Sequence, residues 1–249
     1  MLPVDQRVLV TGGCGFLGRH IVEYLLKAGC TSIRVLDVHI NAFASPERVE
    51  FVQGSLLDDA TLSRVCQGVS TVFHVASPSP LSRDANLFQS VNLLEAAEQA
   101  AVKRFVYTSS ASVAFDGTDQ RNLDETHAVP VESLDAYARS KWEAEQLVLR
   151  ANGNKGMRTC ALRPHGIFGP RDPHFTPNLL ETAKSALARQ CILGDGNNVV
   201  DFTYVGNVAA AHHQAASRLT NGAPVCGQAY FITNGEPVYF WQFVSLMMR

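Results

Sequence analysis

A glycine-rich turn set between a strand and a helix limits what this chain can fold into more than any other feature. Thr11-Gly12-Gly13-Cys14-Gly15-Phe16-Leu17-Gly18 follows the apolar run Arg7 to Thr11 (RVLVT) at once and opens a helical pattern, Phe16 to Ala28. The glycines at 12, 15 and 18 give G-x-x-G-x-x-G spacing. The first permits a tight turn, the second lets the backbone approach a pyrophosphate, and the third lets the helix close on the strand. The start of the helix then offers free N–H groups and a partial positive charge to phosphates. Alone, the motif also fits a plain tight turn. Asp37, nineteen residues after Gly18 and at the end of the second apolar run, favours the dinucleotide reading over a turn or cap role. A carboxylate there accepts hydrogen bonds from both adenosine ribose hydroxyls and repels a 2′-phosphate, which favours NAD over NADP.

Short runs rich in Val, Ile, Leu and Phe recur at Ile33 to Asp37, Val49 to Val52, Val72 to Val75 and Arg104 to Ser109. Such runs read as strands buried on both faces. Helical patterns separate them at Ala60 to Cys66 and Asn86 to Ala101. Strand and helix in alternation give an α/β fold, a doubly wound parallel sheet of Rossmann type with right-handed crossovers. Beyond it, Asp135 to Arg150 and Asn178 to Arg189 read as helices, and Thr159 to Leu162 and Tyr230 to Thr233 as strands. Gly and Pro cluster from Arg163 to Pro177, a loop long enough to be functional. The expected division is residues 1–163 for the dinucleotide-binding part and 164–249 for a small substrate region interleaved with the sheet. Tyr239 to Met248 (YFWQFVSLMM) is almost wholly apolar and needs cover. A shortened chain is the favoured explanation over a partner surface.

The 249 residues carry 21 Lys+Arg against 23 Asp+Glu, a net charge of -2, with 46% hydrophobic residues and no run of like charge. That argues against nucleic-acid binding. No stretch is long and apolar enough for a membrane span, and the N-terminus lacks the pattern of a secretory signal, so a soluble chain is expected. Cys14, Cys30, Cys66, Cys160, Cys191 and Cys226 lie far apart, which suits free thiols in a reducing compartment. The adjacent His212 and His213 point to different faces of a helix or strand, and no metal site is expected.

Tyr137-Ala138-Arg139-Ser140-Lys141 places a phenol and an ammonium four residues apart, on one face of a helix. Ser109 and Ser110 end the preceding strand at the carboxyl edge of the sheet, where open α/β folds bind ligands. Hydride transfer at a carbinol uses this trio. A base must take the hydroxyl proton as hydride leaves the same carbon, and Lys141 is expected to lower the Tyr137 pKa for that purpose. A serine hydroxyl holds the substrate oxygen. The plain alternative is a solvated helix face.

With TGGCGFLG, Asp37, VFHVAS (Val72 to Ser77), YTSSAS and YARSK in this order, the sequence resembles an extended short-chain dehydrogenase/reductase over nearly its whole length. HVASP (His74 to Pro78), RPHGIFGPRDP (Arg163 to Pro173), VDFTYVGNV (Val200 to Val208) and YFITNGEPVYFWQF (Tyr230 to Phe243) resemble the 3β-hydroxysteroid dehydrogenase branch. The resemblance implies Tyr137 as catalytic acid/base, Lys141 as its activator and a ribose ligand, and Ser110 rather than Ser109 as the orienting serine. It implies Gly12, Gly15, Phe16, Leu17 and Gly18 along the pyrophosphate, Asp37 on the ribose, and Ala76 as a wall. Pro164 and Ile167 then lie by the nicotinamide. The implied reaction oxidises the 3β-hydroxyl of a 4α-carboxysterol with NAD and loses CO2 from the resulting β-keto acid. Association with the endoplasmic reticulum membrane is implied, as is a homodimer through the helices Asn86 to Ala101 and Asp135 to Arg150.

Three departures from the family pattern stand out. Gly54-Ser55-Leu56 occupies the adenine-binding position, with Ser55 in place of the usual Asp. The helix after Val91-Asn92 is shortened, which could shift the strand bearing Ser110. Family members also run on beyond the apolar end. Other readings remain open: another oxidoreductase, or a nucleotide-sugar epimerase or dehydratase, using the same trio, or a short form that binds NAD without turnover. His165 reads as a loop residue whose ring bonds to backbone. Arg171 pairs either with a substrate carboxylate or, as the favoured choice, with Asp172 or Asp201.

Overall fold

The computed structural model describes residues 6–40, 46–77, 85–130, 132, 135–173, 175–183 and 194–247. Cys191 and the stretch of the expected helix beyond Ala183 lie outside them. Strands β1 (Arg7–Thr11), β2 (Ile33–Asp37), β3 (Val49–Gln53), β4 (Val69–His74), β5 (Arg104–Thr108), β6 (Arg158–Pro164) and β10 (Gln228–Ile232) form one parallel sheet. Their spatial order is β10-β6-β5-β4-β1-β2-β3, the doubly wound arrangement, with its topological switch between β1 and β4. The order explains the apolar runs, because the two faces of each central strand feed separate cores. Val8, Val10 and Val35 pack with α1 (Phe16–Lys27) and α6 (Val205–Arg218). Leu9, Leu36 and Phe105 pack on the other face with α2 (Asp59–Cys66), α3 (Ala85–Gln99) and α4 (Ala136–Arg150).

Helix starts follow local chemistry. Asp58 caps α2 by accepting from the Ala60 N–H, and Asp135 caps α4 by accepting from the Ala138 N–H at 2.7 Å. Asp172 accepts from the N–H groups of Phe175 and Thr176, which starts α5 (Phe175–Ala183) three residues before the expected Asn178. The strand after α3 is regularly placed in the sheet. β5 pairs in unbroken parallel register with β4 and β6, held by ladder hydrogen bonds and by the full burial of Phe105, Val106 and Tyr107.

The described part of residues 164–249 is interleaved with this framework, since α6 packs on α1 and β10 adds to β6. Smaller pieces complete it: β7 (Ile167–Phe168) beside β9 (Thr203–Tyr204), and β8 (Val199–Val200) beside β11 (Val238–Tyr239). The apolar terminal segment forms α7 (Phe240–Met247). Phe243 stacks on Phe202 at 4.4 Å between centroids and meets Phe168 and Phe175 edge-on or tilted, so one side of α7 is covered. Leu246 on that helix is 60% exposed. Among the described residues no helix is long and apolar enough to cross a membrane, and no group of three or more His, Cys, Asp or Glu could hold a metal ion.

Two histidines, His74 at the end of β4 and His212 of α6, are buried. His212 faces the core of α6, whereas His213 faces Tyr24 of α1. Burial pushes His74 down to about 3, with the Lys141 charge adding to the effect, and His212 down to about 4. Both rings are neutral in the fold but take up a proton near pH 6.5 once unfolded. Their contribution to stability is therefore complete above about pH 6.5 and is lost as pH falls towards the folded values, because the unfolded chain then binds more protons. Each ring is expected to contribute about 1 kcal/mol of acid sensitivity per pH unit in that window. Urea unfolding at pH 6.5 and pH 5 checks this; equal midpoints would contradict it.

Candidate active site

Thr11-to-Gly18 turns as its glycines require. Gly12 has φ +67°, and a Cβ there would lie 2.7 Å from the Ala76 Cα. A Cβ on Gly18 would lie 2.1 Å from the Gly12 carbonyl oxygen, so α1 closes on the turn with no room for a side chain. Gly13, which the motif spacing passes over, has the same constraint: its Cβ would sit 2.7 Å from Val35 Cγ1. Asp37 is fixed at the edge of β2 by accepting from the N–H groups of Cys14 at 2.9 Å and His39 at 3.2 Å. The carboxylate is thereby tied to the glycine turn itself.

These groups open onto one cavity of about 630 Å³ along the carboxyl ends of the strands, at the switch point. All of the residues expected at the site line it. Gly12, Gly15, Phe16, Leu17 and Gly18 form its floor, Asp37, Ser55 and Leu56 one end, and Ala76 a side wall. Ser110, Tyr137 and Lys141 stand at the other end with Pro164 and Ile167. Thr108 and Pro173, from the segments YTSSAS and RPHGIFGPRDP, also line it, as does Gln89, which no sequence motif includes. Gln89 is brought in by the packing of α3 on the sheet. The Ser55 hydroxyl accepts from the Leu57 N–H at 3.1 Å, which leaves its own proton free for a ligand.

The wall around Ala76 has its own brace. Thr11 Oγ1 accepts from the N–H groups of Val75 and Ala76, each at 3.3 Å, and lies 2.9 Å from His74 Nδ1. With its lone pairs so used, the Thr11 hydroxyl donates to Nδ1, and Nε2–H of the same ring donates to Ser90 Oγ at 3.0 Å.

At the chemical end, Tyr137, Lys141 and Glu145 occupy one face of α4 on successive turns. The Ser110 hydroxyl oxygen accepts from the Ser112 N–H at 3.2 Å and pairs with the Ser112 hydroxyl at 2.8 Å. Lys141, only 2% exposed, donates to the Thr108 carbonyl at 3.0 Å and lies 5.2 Å from the centre of the Tyr107 ring. Burial pushes Lys141 down to about 8, so it keeps its charge at neutral pH. The expected lowering of the Tyr137 pKa by Lys141 is corrected here. Burial holds the phenol above its ordinary value; a hydrogen bond with Ser110 pulls it down and Asp135 pushes it up.

In the loop after β6, the partner of Arg171 differs from expectation. Arg171 pairs with Glu23 of α1 at 2.7 Å, not with Asp172 or Asp201. Asp172 is instead engaged in capping α5. His165 Nδ1 bonds to the Asp201 carbonyl at 3.1 Å, as a loop histidine bonded to backbone should.

A doubly wound sheet with this turn, this carboxylate and a Ser/Tyr/Lys group at one cavity defines an extended short-chain dehydrogenase/reductase. Residues 9–249 match the model of the 3-beta hydroxysteroid dehydrogenase/isomerase family, and the chain belongs to that family. It is 42% identical over 250 residues to mouse (Mus musculus) sterol-4-alpha-carboxylate 3-dehydrogenase, decarboxylating, covering 98% of this chain and 68% of that protein. It is 39% identical over 268 residues to 3beta-hydroxysteroid-dehydrogenase/decarboxylase isoform 2 of Arabidopsis thaliana, covering 98% of this chain and 47% of that one. The chain thus spans between about half and about two thirds of the length of these relatives. Among solved structures, Thermus thermophilus UDP-glucose 4-epimerase in complex with NAD superposes with a TM-score of 0.78 at 29% identity, covering 97% of this chain and 82% of that one.

Proposed function

We propose that this chain oxidises the 3β-hydroxyl of a 4α-carboxysterol with NAD and that CO2 leaves from the product. The observation that carries this reading is the convergence of Ser110, Tyr137 and Lys141 on the cavity that Asp37 and the glycine turn also line. The names of the similar proteins from mouse and Arabidopsis support the substrate class. The residues present fit a dinucleotide: the tight turn that Gly12 and Gly18 permit lines the cavity with bare backbone, and Asp37 lines the same cavity as an acceptor for a ribose diol. When bound, NAD supplies the hydride acceptor.

The chain's own groups do the rest. Tyr137, as phenolate, takes the proton of the 3β-hydroxyl while the C3–H bond breaks with its electron pair. Ser110 donates to the substrate oxygen, since its own oxygen already accepts from the Ser112 N–H. Lys141 places a positive charge beside the ribose and the phenol, stabilising the charge that develops. The new C3 ketone stands β to the 4-carboxylate. The C4–CO2 bond then breaks, its electrons pass to the ketone oxygen, and the resulting enolate is protonated at carbon. No further base is required for this loss. Residues 1–163 supply the dinucleotide part in this reading and 164–249 the substrate region; the lipid substrate is consistent with work at the endoplasmic reticulum membrane.

Asp37→Ala tests the cofactor assignment. Loss of charge-assisted hydrogen bonds to the ribose is expected to weaken NADH binding about tenfold or more, while NADPH binding improves. Nicotinamide fluorescence titrations with both nucleotides read the ratio. A parent chain that prefers NADPH would overturn the assignment.

A further inference from the structure

We propose that His212 is a positioning residue for this site, acting through the Thr108 side chain to hold the carbonyl that anchors Lys141. The inference rests on the role given to Lys141 above.

His212 is fully buried on α6, on the side of the sheet opposite α4. Its Nδ1 lies 2.8 Å from the Val208 carbonyl, which can only accept, so Nδ1 carries the proton. In a neutral ring Nε2 must then be an acceptor, and it lies 2.8 Å from Thr108 Oγ1. The Thr108 hydroxyl therefore donates to the ring, with no freedom in the direction of either bond. The peptide that follows Thr108 is fixed as well, since the Ser109 N–H donates to the Leu162 carbonyl at 2.7 Å. That bond to β6 turns the Thr108 carbonyl the other way, towards the open switch point, where Lys141 Nζ takes it at 3.0 Å. One residue at the end of β5 is thus gripped by α6 through its side chain and grips α4 through its main chain. Around the ammonium stand the Tyr107 ring and His74, with Tyr137 one turn earlier on α4. The Thr108 carbonyl is the hydrogen-bond partner that sets where the charge sits. A buried ring is a stiff support, and errors of about 1 Å in a reacting constellation cost up to about a hundredfold in rate.

The test uses the whole chain with Thr108→Val, His212→Phe, His212→Gln and the double variant Thr108→Val/His212→Phe. Two readouts are taken. One is the titration midpoint of Lys141 by NMR with ε-13C-labelled lysine, which needs no turnover. The other is kcat with NAD and a 4α-carboxysterol, with NADH affinity measured beside it. Thr108→Val and His212→Phe are expected to move the Lys141 midpoint by about half a unit or more and to lower kcat about tenfold. His212→Gln, which keeps an acceptor at the same reach, is expected to retain most of both, and the double variant to be no worse than either single one. An unmoved Lys141 midpoint in folded Thr108→Val would overturn the proposal, as would a His212→Gln variant as impaired as His212→Phe. Thr108→Val is nearly isosteric, so the question is answered even where His212→Phe does not fold. Shifted midpoints in variants of a parent that turns over no 4α-carboxysterol would uphold the positioning role and sink the proposed reaction.

Discussion

Tyr137→Phe is expected to lower kcat for oxidation of a 4α-carboxysterol by about 10² to 10⁴-fold, the usual contribution of a placed acid/base, while NADH affinity changes by less than about twofold. The variant removes one oxygen from a side chain that already fits its place on α4, so the cavity and the Asp135 cap at the start of that helix are kept. Because burial raises the phenol, only a small fraction is ionised at neutral pH, and oxidation by the parent should accelerate as pH rises towards about 8, then level off as the Lys141 ammonium is lost. Tyr137→Phe should lose that dependence together with the rate. A variant that turns over as fast as the parent would remove Tyr137 from the chemistry. Steady-state rates from pH 6 to 9, with NADH titrations on the same samples, make both comparisons.

Glu145→Ala is expected to destabilise the fold by about 3 to 5 kcal/mol and to lower kcat as well. Glu145 is wholly buried two turns after Tyr137, and Arg163 of β6 is 5% exposed. The guanidinium meets the carboxylate in a two-pronged contact, Nε to Oε2 at 2.9 Å and Nη2 to Oε1 at 2.6 Å. Such a pair adds little net stability over a well-packed apolar pair, because both ions give up water. Removal of one partner is different, since the other is left charged in the core. The double change Glu145→Leu/Arg163→Met should therefore be less damaging than Glu145→Leu alone. Thermal unfolding of the three variants decides the matter; equal losses in the single and double variants would contradict the account. The kinetic effect follows from position, because this pair fixes α4 against β6 below the two turns that carry Tyr137 and Lys141.

The framework was legible because its signals are local. Val8 and Val10 on one face of β1 and Leu9 on the other belong to two cores, and a strand buried on both faces reads as an unbroken apolar run. Gly12, Gly15 and Gly18 were readable for the same reason, since strand, turn and helix are contiguous. Gly13 was not, because its constraint is the Val35 side chain on the neighbouring strand. Long-range partners were likewise hidden. The Arg163–Glu145 pair and the His212–Thr108–Lys141 chain join residues far apart in sequence, and no spacing rule links them. The charge on Lys141 was expected from its position four residues after Tyr137, but not the direction of its ammonium, which a carbonyl on another element decides. Arg171 was misplaced on similar grounds: its partner, Glu23, lies 148 residues away.

The central claim is that one site removes a hydride from C3 and sets free the 4-carboxylate. The most direct test gives the purified chain NAD and a 4α-carboxysterol labelled with 14C in the carboxylate, and counts NADH formed against labelled CO2 released. The account predicts the two in a ratio of one to one for the parent and neither above background for Tyr137→Phe. Tight NADH binding with no NADH formed and no CO2 released by the parent would contradict it.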